Sequence, residues 1–367
     1  MLHRLLGWIV CVSLMVSAAA AAEPGSGQVV ETDVYVAGDQ GVHTYRIPAI
    51  VVTLKGTILA FCEARQEGRA DHGNIDLVVR RSSDGGKTFG PMITVWEDGK
   101  HTIGNPCPVV DRATGTIWML LTRDNDDVFV THSKDDGQTW ATPTNITKDV
   151  KKPDWTWYAT GPGHGVQLST GRLIIPSDHR VGDQRFSYSH IVYSDDGGRT
   201  WQLGGDSEYK TNECTAVELA DGRLLLNMRS YFGQNRRAVA ISSDGGKTFG
   251  PVSHDETLIE PVCEASIIRY ARPGKKESDG PILFSNPASK ARDHLTIRLS
   301  NNDCRSWSAA CELWQGPAAY SDLAITADGE VLCLYERGEK NAYEKIVLAR
   351  FPLSWVQAGT AGQAAKP

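Results

Sequence analysis

"SSDGGKTFGP" stands at residues 82–91 and again, letter for letter, at residues 242–251. Relaxed to Ser-x-Asp-x-Gly-x-Thr-Trp/Phe, the pattern recurs as SKDDGQTW from Ser133 and SDDGGRTW from Ser194, and in decayed form as SNNDCRSW from Ser300. Successive starts lie 48 to 61 residues apart, a recurrence that points to repeated supersecondary units. Each copy closes a β-patterned run such as DLVVRRS or AVAIS, and its Asp-x-Gly core suits a hairpin turn, with a side-chain acceptor and tolerance of positive φ. Upstream of each run is another strand opening on glycine: GTILAFCEAR, GTIWMLLTR, GRLIIPSDHR, GRLLLNMRS and GPILFSNPAS. A sixth, GEVLCLYERG, leads to KIVLARF with no box after it. Six such units, five of them continued through a boxed turn into a fourth strand, predict an all-β chain with almost no helix. The expected architecture is a six-bladed β-propeller of four-stranded antiparallel blades.

Strand direction alternates within a blade, which assigns the loops to faces. Turns joining strands one to two and three to four share one rim, so the boxed aspartates, Asp84 and Asp244 among them, are turn devices on that rim. The opposite face is built from strand-one starts, including YRIPAIVV, NECTAVEL and AYSDLAIT, and from the loops EARQEGRADHGNID, NMRSYFGQNRR and NPASKARDH. Arg46, Arg65, Asp71, Glu213, Arg229, Arg292 and Tyr320 all fall on this second face. Their convergence predicts a pocket at the mouth of the propeller.

The 367-residue chain opens with Arg4, an apolar run and the small residues before Glu23, the layout of a secretory leader rather than of a membrane anchor. We expect a signal peptide over residues 1–22, a single domain over residues 23–367, and a secreted or periplasmic protein without a membrane span. A hydrophobic content of 41% supplies an ample core, and the formal charge of −6 offers no general route to nucleic acid. Any anion it binds must therefore meet a local cluster of arginines. Beyond the leader stand Cys62, Cys107, Cys214, Cys263, Cys304, Cys311 and Cys333, with no CxxC spacing. Several lie inside apolar strands, so no dominant disulfide framework is expected and Cys304 with Cys311 is the pair to check.

YRIP, the repeated boxes, NEC, NMRS and AYSDL, in that order from about residue 33 to 356, together resemble the exo-α-sialidases. The family usually has Phe where Tyr45 stands. The resemblance implies retaining hydrolysis of terminal sialic acids from glycoproteins, glycolipids and oligosaccharides. It assigns Arg46, Arg229 and Arg292 to the substrate carboxylate, for which planar guanidinium groups are suited. It also implies Tyr320 as nucleophile, Glu213 as its base, Asp71 as acid and Arg65 as a further sugar contact. A neutral phenol is not repelled by an anionic substrate as a carboxylate would be, and sialidases with a tyrosine nucleophile depart from the two-carboxylate scheme of most glycosidases. Asp71 needs its pKa raised, by burial or by substrate charge, to hold a proton.

Arg298 competes with Arg292 for the third arginine, and Glu67 and Asp76 compete with Asp71. His72 is set aside. Trp155, Trp157 and His164 are weaker candidates for sugar contact, since tryptophan in a propeller commonly packs between blades. No metal-ligand spacing or phosphate-cradling glycine loop occurs, so no cofactor is implied. The alternatives to a hydrolase are a sialic-acid-binding propeller without turnover and a trans-sialidase.

Overall fold

The computed structural model describes residues 27–270 and 277–359. The expected leader, residues 1–22, lies outside them. Alternating apolar strands joined by short turns build antiparallel sheets, and the α-helices among the described residues are the short segments Thr147–Val150 and Leu353–Gln357. The first sheet orders Thr44–Val52, Ile58–Arg65, Ile75–Ser82 and Ile93–Trp96; the second orders Ile103–Val110, Ile117–Arg123, Asp127–Ser133 and Thr144–Asn145. Trp155–Thr160, Leu173–Val181, Tyr188–Ser194 and Gln202–Asp206 make the third, with Val166–Gln167 added beside Leu173–Val181. The fourth runs Thr211–Glu218, Leu224–Ser230, Arg236–Ser242 and Ser253–Ile259. A seven-stranded sheet completes the molecule, from Ser266–Arg269 through Ile282–Pro287, Asp293–Ser300, Ala309–Ile325, Glu330–Arg337 and Lys345–Pro352 to Val30–Val36. The fold is all-β and propeller-like, with four-stranded blades.

Two features of the seven-stranded sheet lie beyond the sequence reading. The long strand Ala309–Ile325 pairs with Asp293–Ser300 through its first half and with Glu330–Arg337 through its second. The partner of the last strand comes from the other end of the chain: Val30–Val36 pairs with Lys345–Pro352, and Arg337 donates to Glu31 at 2.6 Å. That closure explains why the final repeat has no box, since its outer strand is not reached through a turn. Apolar layers fill the spaces between neighbouring sheets. Leu59, Phe61 and Leu77 of the first sheet meet Met119, Leu121 and Phe129 of the second, and Ile174 and Ile191 of the third meet Leu224 and Leu226 of the fourth. Truncating one such leucine to alanine removes transfer free energy and leaves a cavity, about 2–5 kcal/mol.

The boxes behave as turn devices. Asp244 accepts from the Ser242 hydroxyl at 2.8 Å, the Thr248 amide at 2.9 Å and the Thr248 hydroxyl at 2.7 Å, and Gly246 N–H closes the loop onto Ser242 at 2.8 Å. Asp84 repeats the arrangement with Ser82 and Thr88. Gly246 needs to be glycine: its φ is +87°, and a Cβ there would stand 2.1 Å from Ile191 Cδ1. The second box also bonds to a one-to-two turn, because Asp136 accepts from Thr53 and Thr57. The boxes and the one-to-two turns therefore share a face, as strand alternation requires.

Candidate active site

On the opposite face lies a cavity of about 660 Å³ whose lining includes Arg65, Asp71, Asn212, Glu213, Arg229 and Tyr320. Five inner strands carry a β-bulge where they enter this face: between Arg46 and Ala49, Gly104 and Cys107, Trp155 and Trp157, Thr211 and Cys214, and Ala318 and Ser321. A bulge inserts a residue and re-aims the side chains beside it. Ile47 pays for its place with φ of +62°, strain of about 1–3 kcal/mol for a β-branched residue. Nothing in the apolar pattern of YRIPAIVV announces this.

Tyr320 and Glu213, nearly buried, come from different sheets and meet through a hydrogen bond of 2.5 Å from the phenol to Oε1. Arg229 Nη1 donates to Glu213 Oε2 at 2.7 Å and to the phenol oxygen at 3.2 Å. Burial, and then the charge of Glu213, push the Tyr320 phenol well above its ordinary range, with Arg229 and Arg46 opposing. The phenol is thus neutral at rest, and the carboxylate it touches is placed to accept its proton. The guanidinium carbons of Arg46 and Arg292 stand 5.0 and 5.5 Å from the Tyr320 ring centroid. Arg292 donates to the Tyr343 hydroxyl at 2.8 Å, and among the described residues no carboxylate lies within ion-pair reach of it.

Asp71 joins the group through Arg65 Nη1 at 2.7 Å and Arg46 Nη1 at 3.5 Å, so all seven expected residues form one connected network. Of the two expected ways to raise its carboxyl, burial does not suffice. Partial burial raises the Asp71 carboxyl, but Arg65, Arg46 and Arg292 together outweigh it, and the group sits below the usual carboxylate range. Burial is the largest single influence on the carboxyl, and it takes the three arginines acting together to overcome it. Arg298 is buried away from the cavity, with its guanidinium shifted down by burial against the pull of Asp255. Asp76 is held by Gln66 at 2.7 Å. Arg292 and Asp71, rather than Arg298 and Asp76, are therefore the members of the cluster.

Residues 56–333 match the family model described as a BNR repeat-like domain. The chain is 31% identical over 379 residues to an exo-alpha-sialidase of Arthroderma benhamiae, covering 88% of this chain and 87% of that protein. The chain belongs to the sialidase family. It is also 36% identical over 358 residues to a sialidase of Micromonospora viridifaciens, covering 89% of this chain but 54% of the relative, so it spans about half that protein's length. Among solved structures, a Hadza microbial sialidase superposes with a TM-score of 0.80 at 31% identity, over 87% of this chain and 68% of that one.

Three further residues of this sialidase-family site have no signal in the motifs. Glu336 holds Arg46 with two hydrogen bonds, at 3.0 and 3.1 Å, and accepts the N–H groups of Ile47 at 2.9 Å and Tyr320 at 3.1 Å. It thereby ties the first clamp arginine to the strand of Tyr320. Glu63 does the same for Arg65, at 3.0 and 2.7 Å, and caps Asn105 N–H at 3.0 Å. Tyr343 stacks on Arg46 at 4.2 Å and anchors Arg292. The two glutamates stand in strands, in CEAR and YERG, and the lone available signal was a charge inside an otherwise apolar run. Of the weaker candidates, Trp157 lines the cavity, as does His72; Trp155 is stacked on His179 at 3.4 Å, and His164 belongs to a different cavity. The seven cysteines of the described residues are free, Cys304 and Cys311 included. Among the described residues, no group of three or more His, Cys, Asp or Glu side chains is arranged to hold a metal and no helix is long and apolar enough to cross a membrane.

Proposed function

We propose that the protein is an exo-α-sialidase that hydrolyses terminal sialic acids from glycoconjugates with retention, through a covalent bond to Tyr320. The observation that carries this reading is the 2.5 Å contact of the Tyr320 hydroxyl with Glu213 inside an arginine cluster. Arg292 and Arg229, with Arg46 held rigid by Glu336, receive the sialoside carboxylate. As the phenol oxygen attacks the anomeric carbon, its proton passes to Glu213, the glycosidic C–O bond breaks, and Asp71 protonates the departing oxygen. Asp71 then takes a proton from the water that attacks the same carbon, the bond to Tyr320 breaks, and Glu213 returns the phenol proton. Substrate supplies what the resting site lacks: its carboxylate offsets the charge of Arg46 and Arg292, and the Asp71 carboxyl moves upward.

We further read the seven-stranded sheet as two blades sharing the strand Ala309–Ile325, which brings the propeller to six. The domain is residues 23–367, secreted or periplasmic once residues 1–22 are removed. The test is release of a fluorescent alcohol from an α-sialoside by the wild type, Tyr320→Phe and Asp71→Ala. Loss of release in Tyr320→Phe supports the nucleophile; equal rates in Tyr320→Phe and wild type overturn it. A wild type that binds but releases nothing is a lectin, and one that delivers the sugar to an added acceptor in preference to water is a trans-sialidase.

A further inference from the structure

Counted from its first apolar residue, the sixth position of the second strand is Glu63 in the first sheet, Asp178 in the third, Arg229 in the fourth and, from Val331, Glu336 in the seven-stranded sheet. The three acids share a habit. Each reaches the bulge of a neighbouring sheet's inner strand: Glu63 accepts Asn105 N–H at 3.0 Å, Glu336 accepts Ile47 N–H at 2.9 Å, and Asp178 Oδ2 accepts the Asn212 side-chain amide at 2.5 Å. Asn212 immediately precedes Glu213. Glu63 and Glu336 each carry a guanidinium as well, whereas Asp178 has no cation within ion-pair reach among the described residues. It is fully buried, and its Oδ1 has no hydrogen-bond partner.

We propose that Asp178 is a positioning residue for the base: through Asn212 it holds the bulge of Thr211–Glu218 so that Glu213 stays within hydrogen-bond reach of Tyr320. This rests on the reading of Tyr320 and Glu213 given above. The carboxyl works in its neutral form. Burial, and then the charge of Glu213, push it well above the usual range, and Arg229, Arg180 and the Asn212 amide oppose this without reversing it. Tyr158 from its own sheet, and Cys214 and Tyr231 from the fourth, are the other titratable groups facing it. An ionised Asp178 would set an uncompensated negative charge beside the base; a neutral one leaves Glu213 in its pair with Arg229 undisturbed.

The experiment compares Asp178→Ala, Asp178→Asn, Asn212→Ala and the double alanine variant on a fluorescent α-sialoside, with rates normalised to sites counted by the pre-steady-state burst. Asp178→Ala should lower kcat by about 10- to 100-fold, the cost of a misplaced reacting group, with KM within about 3-fold. Asp178→Asn, whose amide oxygen accepts the same bond, should recover most of that loss. Asn212→Ala should match Asp178→Ala, and the double variant should be no worse than either. A protonated-carboxyl band in the infrared spectrum at neutral pH should be lost in Asp178→Asn. An unchanged kcat per counted site in Asp178→Ala, an Asp178→Asn variant as impaired as the alanine, or an unchanged infrared band would overturn the proposal. Failure of the parent reading appears elsewhere, as an active Tyr320→Phe; failure here leaves Tyr320→Phe inactive and Asp178→Ala active.

Discussion

Two cavities among the described residues are of nearly equal size, about 660 Å³ at the candidate site and about 650 Å³ bounded by the one-to-two turns on the box face, and the same inner strands help line both. The first is walled by Arg65, Asp71, Glu213, Arg229 and Tyr320; the second by Ile50, Val109, Val166, Leu219, Leu323 and Ile325, with Leu54 60% exposed. Within one strand the change takes three residues. Tyr320 faces the site, Leu323 the apolar cavity, and the buried Asp322 between them accepts Ile50 N–H at 2.8 Å and pairs with His164 at 2.6 Å. The strands pair regularly at the apolar end, as in Val51 opposite Leu59, and bulge at the polar end. Volume therefore does not mark the functional end. Bulges do, because they re-aim side chains and free N–H groups that Glu63 and Glu336 then hold.

Changes at the two ends should separate chemistry from scaffold. The largest effect is expected in Tyr320→Phe, a fall in kcat of about 10³-fold or more, roughly 4 kcal/mol, with an unaltered melting curve. Arg292→Ala comes next: loss of a charged hydrogen-bond donor to the substrate should raise KM about 10- to 100-fold, read from initial rates against substrate concentration. On the box face, Asp244→Ala should cost about 1 kcal/mol in chemical denaturation, as loss of a helix cap does, and leave kcat per folded molecule unchanged. A matching loss of turnover would break the division of labour between the two faces.

Acid should act on the box face as well. Slight burial raises the Asp244 carboxyl, but the bonds from Thr248 and Ser242 outweigh it and bring the group to about 2. A carboxyl depressed on folding contributes stability that is present above its unfolded value near 3.9 and is lost as pH falls through the folded value. Unfolding midpoints followed from about pH 5 to pH 2 should therefore decline more for wild type than for Asp244→Ala. The smallest effect belongs to the apolar cavity: Leu54→Ser should stay within about 0.5 kcal/mol in stability with no kinetic change, and a kinetic change would give that end a role in the chemistry.

Much of this was legible in the sequence because it is carried by local chemistry. The boxed turns bond within themselves, so Ser-x-Asp-x-Gly-x-Thr announces its own geometry, and strand alternation assigns Arg46, Glu213 and Tyr320 to one face. The bulges were not legible, since Ile47 at positive φ is unfavourable by itself and is held there by Glu336, 289 residues away. The charge of Asp71 was not legible either. It depends on Arg46 and Arg65 in two paired strands and Arg292 in a remote loop, whose summed field no motif displays.

By itself the sequence determined the strand content, the repeat length and the face on which Arg46, Glu213 and Tyr320 gather, all properties of short-range bonding and alternation. Only the tertiary structure decided which residues meet: that Glu213 reaches Tyr320, that Arg292 rather than Arg298 joins them, that Val30–Val36 pairs with the last strand, and that Asp178 is buried near Glu213 with one carboxyl oxygen unbonded. Each of these rests on distance between segments remote in the chain, and burial and Coulomb interaction take their size from that distance.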